Sequence, residues 1–367
     1  MRAPRAALSC LLVSLAGLAC SKKETPAPAA SASAPLVASA AAPAGPKTDS
    51  MTFPVLGSVP IPENNAQTPE KIALGHQLFF DKRLSADGTR ACYSCHLNED
   101  GTGGHDPTAV GAKGVKLTRH SPVLWNVGYL PRLYWDGRAD SLESQALAAW
   151  AGGNMGVGKD KLEAKAKEIG KIPEYKQAFA KVFPDRGATP ETIVQAISAY
   201  ERTLVCDDTR YDRYAKGDKS ALGDREKQGL ELFMGKAGCV ACHAPPHFST
   251  AFMAKDGTYF NTGIGTRGKK EDEVDVGRMA VTKNAADWAA FKPPSLRNVA
   301  KTPPYFHDGS VADLEEAVRF MATGGHANKN LSPLLTDRKL TDAEISAVVA
   351  FLRSLDCPGS LVEPKLP

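Results

Sequence analysis

The 367-residue sequence has no apolar run long enough to span a bilayer comfortably, little net charge and few strand signals. Each absence excludes something. A membrane-spanning helix needs about 20 consecutive apolar residues, so none is expected. The formal charge is +4, and Arg2 and Arg5 at the extreme N-terminus carry part of it. A near-neutral surface argues against a nucleic-acid partner. The scarcity of alternating patterns argues against a β architecture. What remains is ordinary globular composition, 43% hydrophobic and 23% charged, with room for one large or two small domains.

The N-terminus reads as an export signal. Met1-Arg2-Ala3-Pro4-Arg5 is a short basic region, and "AALSCLLVSLAGLAC" is an apolar run of secretory length. It ends in small residues and Cys20, an arrangement that resembles a bacterial lipobox, although Gly17 and Leu18 stand in the reverse of the usual order. Residues 1–20 are therefore expected to be a signal peptide of lipoprotein type, with a lipid on Cys20 as the membrane link. The expected location is the periplasm. Residues 21–50, rich in Ala, Pro and Ser, have no periodic apolar pattern and read as a disordered tether.

Eight cysteines are present, and Cys10 and Cys20 belong to the export signal. Four fall in two copies of one pattern, "CYSCH" at 92–96 and "CVACH" at 239–243. C-x-x-C-H is the c-type haem attachment signature. Residues i, i+3 and i+4 of a helical turn share a face, so two thiols can reach the vinyl groups of one porphyrin while the histidine reaches its iron. Cys92, Cys95, Cys239 and Cys242 are the expected thioether anchors, and His96 and His243 the iron ligands. A zinc site built from both C-x-x-C pairs would leave the two histidines unexplained. A redox dithiol needs βαβ flanks, which neither copy has. Cys206 and Cys357 remain as candidates for one disulfide in an oxidising compartment, which spacing alone does not decide.

Elsewhere the signals are helical. "TPETIVQAISAYERTL" offers Thr189 as N-cap and Pro190 at the first helical position. "TDAEISAVVAFLRSL" opens with a Thr341/Glu344 capping box, and "VADLEEAVRFMATGG" stops at Gly324-Gly325. Gly-x-x-Leu-Phe recurs at 75–79 and 229–233, ahead of each attachment motif. The expected fold is mainly α: two cytochrome c-like domains, each carrying one covalently bound haem, with long loops, divided near 217–224.

Four stretches, "FFDKRLSADGTRACYSCH", "YWDGRADSLESQA", "PSLRNVAKTPPYFHDG" and "LTDAEISAVVAFLRSL", resemble the bacterial dihaem cytochrome c peroxidases. That superfamily also holds the methylamine-utilisation dihaem enzyme that matures a tryptophan-derived quinone. The resemblance runs over roughly residues 52–355 and implies an N-terminal peroxidatic haem domain (51–220), a C-terminal electron-transfer haem domain (221–357) and a tail (358–367). It implies hydrogen peroxide as substrate, and a small redox protein, a c-type cytochrome or a copper protein, as electron donor. Homodimers are frequent in the family. The resemblance makes Met321 the sixth ligand of the second haem, where the quinone-maturing enzyme carries tyrosine. It places Trp135 between the haems and His307 near their propionates.

Three positions depart from the family pattern. A histidine that closes the peroxidatic iron in many members corresponds to Ala112, and His105 and His120 stand elsewhere. The distal acid–base glutamate corresponds to Asn154. An asparagine that helps bind calcium corresponds to His120, while Thr302 and Pro304 are retained; this weakens the case for calcium. Loss of the histidine removes a gate, so activity without reductive activation is expected. Loss of the glutamate removes a proton carrier, for which Glu143, Asp136 or a water chain would have to substitute. A non-enzymatic dihaem electron carrier and a dihaem oxidase acting on a partner protein remain as alternatives.

Overall fold

The structure, a computed structural model, describes residues 48–367. The signal peptide, almost all of the tether and the lipid on Cys20 lie outside the described residues. Within them are ten α-helices: α1 Pro69–Phe80, α2 Leu142–Ala151, α3 Leu162–Ile169, α4 Pro173–Val182, α5 Pro190–Glu201, α6 Arg210–Ala215, α7 Asp224–Met234, α8 Met279–Thr282, α9 Leu314–Ala322 and α10 Asp342–Arg353. Isolated bridges are the only β pairing among the described residues. None of the helices is long and apolar enough to cross a membrane.

The helix ends have local causes. The Thr189 hydroxyl accepts the Thr192 N–H above Pro190. Thr341 and Glu344 cap one another's backbone. α9 ends where Gly324 and Gly325 turn to positive φ and return their N–H groups to Met321 and Phe320.

Two large cores form, one built chiefly by α1, α2 and α5, the other by α7, α9 and α10. They repeat one design. In the first, Gly75 lets α1 approach α5 so closely that a Cβ there would stand 1.8 Å from the Ala196 carbonyl oxygen. In the second, a Cβ on Gly229 would stand 2.0 Å from the Ala347 oxygen. This is the physical content of the Gly-x-x-Leu-Phe repeat. The likeness extends through the loops. Asn126, Tyr134 and Gly137 take positive φ, as do Asn298, Phe306 and Gly309. The Asn126 side chain accepts the Cys206 N–H, and the Asn298 side chain accepts the Cys357 N–H. Cys206 and Cys357 thus occupy equivalent positions, and they are joined in a disulfide.

The cores do not follow the expected boundary. Phe53, Tyr211 and Tyr214 pack in the second core, although they precede residue 220. The reason is that Asp212 of α6 is paired with Arg297 of the second half. Residues 358–367 are likewise no loose tail. Leu361 packs in the first core and exchanges two hydrogen bonds with Asn98, close to the first attachment motif.

Candidate functional site

The first attachment motif is a short 3₁₀ turn, Cys92–Cys95, with the Ser94 hydroxyl accepting the Ala91 N–H. It opens on a cavity of about 560 Å³ whose wall includes Cys92, Cys95, His96, Trp135, Gln145 and Asn154. The Nδ1–H of His96 is donated to the Thr102 carbonyl at 3.0 Å, which leaves Nε2 as the free lone pair. Burial pulls its pKa down to about 4, so the ring is neutral, as a metal ligand must be. The second motif copies this: His243 Nδ1 donates to the Phe248 carbonyl at 3.0 Å, and burial lowers its pKa too. Thr102 and Phe248 both present that carbonyl from a positive-φ backbone.

Burial raises the pKa of all four motif cysteines, so they are thiols rather than thiolates. Among the described residues no three His, Cys, Asp or Glu side chains are placed to share a metal ion. The two pairs therefore do not converge on one zinc. A haem fits the first cavity on a separate ground. Lys292, 8% exposed, lines it and has no carboxylate partner among the described residues. Burial lowers its pKa to about 8. A buried ammonium needs a counter-charge, which a haem propionate would supply.

Trp135 lines the cavity, donates its indole N–H to the His120 carbonyl at 2.8 Å, and meets His307 edge to face at 6.4 Å. His307 is stacked on Phe291 at 3.6 Å and is not in this wall. His120 is also in the wall, its Nδ1–H donated to the Asp106 carbonyl at 3.0 Å, which leaves its Nε2 lone pair free as in His96. His105 points to solvent beside Asp100. Ala112 is buried, with its N–H on the Asn154 carbonyl. The substitutes for the missing glutamate fare poorly. Glu143 is outside the wall, held by Arg202 and Asn65. Asp136 is in the wall but clamped by Arg119 and Arg138.

The internal repeat gives a register that neither half gives alone. Leu142, which begins α2, matches Leu314, which begins α9. In that register Met321 matches Ala149, and Ala149 lines the first cavity. Where the second half carries a thioether, the first presents a methyl group. Two wall residues, Lys292 and Glu201, escape sequence reading. "YERTLVC" looks like the polar end of an amphipathic helix, whereas Glu201 is 6% exposed and faces the cavity wall. The available signal is the repeat, in which Leu352 stands at the matching place in "FLRSLDC".

Comparison with known proteins agrees with this geometry. A family model described as di-haem cytochrome c peroxidase matches residues 69–220, and a cytochrome c model matches 227–356. Cytochrome-c peroxidase IdrP1 of Pseudomonas sp. (strain SCT) is 37% identical over 341 residues, covering 85% of this chain and 88% of the relative. Methylamine utilization protein MauG of Methylorubrum extorquens is 36% identical over 313 residues, 84% of this chain and 85% of its own. A crystal structure of a MauG-like protein associated with microbial copper homeostasis superposes with a TM-score of 0.77 at 31% identity, covering 84% of this chain and 95% of that one. A mainly helical, cytochrome c-like chain with two C-x-x-C-H sites, it belongs to the dihaem cytochrome c peroxidase and MauG family.

Proposed function

We propose that this protein is an exported peroxidase that carries two covalent haems, reduces hydrogen peroxide to water, and needs no prior reductive activation. The reaction is H2O2 + 2 H⁺ + 2 reduced cytochrome c → 2 H2O + 2 oxidised cytochrome c, with a small copper protein as an equivalent donor. The N-terminal domain holds the peroxidatic haem and the C-terminal domain the electron-transfer haem, the protein being held in the periplasm by a lipid on Cys20. A homodimer and a bound calcium ion carry over from the family only as weaker expectations, the second because His120 stands at a calcium-ligand position.

One observation carries the reading: the first cavity has Ala149 where the second half has Met321. The histidines in its wall are His96 and His120; His120, held through Nδ1 by the Asp106 carbonyl, stands elsewhere than the family's gate position, which here is Ala112. Haem held here would supply an iron that binds peroxide and a path for electrons. The chain does the rest. His96, oriented by Thr102, would hold the iron, and Lys292 would neutralise a propionate. The amides of Gln145 and Asn154 offer hydrogen-bond donors to a bound peroxide. Trp135 joins this cavity to His307 and so to the second half.

Catalytic amounts of the protein should make reduced cytochrome c oxidation depend on peroxide, with two cytochromes oxidised per peroxide. No stimulation with either cytochrome or copper-protein donors would contradict the reading. Met321 separates this protein from the quinone-maturing branch, since a thioether ligand raises the reduction potential and suits an electron store. Met321→His should lower the midpoint potential of one haem only, as read by spectroelectrochemistry; an unchanged potential would remove Met321 from the ligand set.

A further inference from the structure

We infer that Glu201 is the proton-supplying acid of the first cavity, doing from α5 what Asn154 cannot do from the family position. The inference rests on the peroxidase reading and deepens it. Glu201 ends α5, its Oε2 is buried without a hydrogen-bond partner, and the residue lines the same cavity as Asn154 and Gln145. An orphaned buried carboxyl oxygen is costly to keep. The second half shows that the fold does not require it: Leu352 fills the matching place, buried and apolar. The acid lines the cavity of the half that has Ala149 where the other half has Met321.

Its protonation suits the role. Burial raises the pKa to about 8, the nearby Glu143 charge adds to this, and the Arg202 charge opposes it. Tyr200 is the other titratable neighbour, neutral because burial raises its own pKa; Cys92, as a thioether anchor, would carry no proton to titrate. The carbonyl end of α5 also disfavours a carboxylate there. Glu201 therefore holds its proton at neutral pH, as a general acid must. In the step, the O–O bond of peroxide breaks and the leaving hydroxyl takes the Glu201 proton to depart as water. The other oxygen becomes the second water with a proton from solvent, and two electrons come from the reduced donor protein. Glu201 is reloaded from solvent on the side of the Arg202–Glu143 pair, whose carboxylate is partly exposed.

The sign of the pH dependence follows. The competent form is the acid, so kcat/KM should fall as pH rises through about 8. Glu201→Gln and Glu201→Leu test the claim, the second copying Leu352. Both should bind haem and keep both midpoint potentials, yet reduce peroxide about 10²–10⁴-fold more slowly, the usual worth of general acid–base help. Both should lose the falling alkaline limb, and Glu201→Asp should recover part of the rate. Infrared spectroscopy gives a readout free of turnover: the wild type should show a protonated-carboxylic-acid carbonyl band at neutral pH that disappears in Glu201→Gln. Absence of that band in the wild type, or full turnover in either variant, overturns the inference. If the wild type shows the band but reduces no peroxide, the peroxidase reading itself fails and this role goes with it.

Discussion

Replacing Arg297 by methionine is expected to destabilise the protein by about 3–5 kcal/mol, the usual consequence of stripping one partner from a buried ion pair. Arg297 has no exposed side-chain surface, and its two terminal nitrogens meet the two Asp212 oxygens at 2.7 Å each. The same guanidinium holds the Pro246 carbonyl at 2.8 and 3.0 Å, three residues beyond His243. The loss should therefore loosen the loop that orients His243 as well as α6. Burial alone would raise the Asp212 pKa, but the hydrogen bonds and charge of Arg297 hold it below the ordinary carboxylate range. A carboxylate depressed in the folded state contributes stability above its unfolded pKa of about 4, lost as pH falls through the folded value. In Arg297→Met that contribution is gone, and Asp212 is a buried unpaired charge at neutral pH. The deficit against wild type should thus be large at pH 7 and shrink in acid. The double variant Arg297→Met, Asp212→Leu should recover much of the loss, because an apolar pair can replace a buried ionic one. Denaturation of the haem-loaded proteins at neutral and acid pH reads all of this; equal stability of Arg297→Met and wild type at pH 7 would contradict it.

Removal of the disulfide should cost a comparable amount. Cys206 and Cys357 are 151 residues apart in sequence, and closing a loop of that length is worth up to about 5 kcal/mol through restriction of the unfolded chain. Alanine at both positions avoids burying hydroxyls where each cysteine is only 2% exposed. Cys206→Ala, Cys357→Ala should lose about 2–5 kcal/mol. A thiol reductant should weaken the wild type and leave the variant unchanged. The effect should reach the first site. Residues after Cys357 bring the Leu361 backbone to Asn98 and the Val362 carbonyl to His76. Freed from its anchor, that strap should exchange amide hydrogen faster, together with the turn after His96. Unchanged exchange there would separate the disulfide from the site.

Much of this molecule is written in short-range signals, and those are the parts the sequence discloses. Thr189-Pro190 and Thr341/Glu344 mark helix starts because a cap is a contact between neighbours. The two C-x-x-C-H motifs stand out for the same reason, each being a single short turn. Long-range structure is where sequence reading stops. The loop ending "YWDG" and that ending "YFHDG" are one structure made twice, but Trp125 stands opposite Arg297 and Trp135 opposite His307, so side-chain chemistry hides the shared backbone. Glu201 is invisible because its meaning depends on Leu352 far along the chain. The two cores interleave across residue 220 because a buried pair, Asp212 with Arg297, draws α6 into the second core, a long-range contact that local patterns do not reveal. Glu143 is attractive in sequence, yet Arg202 and Asn65 hold it away from the cavity wall.

The central claim is that the first site is open without a gate. The direct test is peroxide turnover by the as-isolated diferric protein, with reduced cytochrome c as donor and the spin state of both haems recorded on the same sample. One high-spin haem with immediate turnover is the expected result, since Ala149 stands in the wall where the second half has Met321 and Ala112 replaces the family's gating histidine. Two low-spin haems, with activity only after half-reduction, would show that some side chain closes the site and would contradict the account.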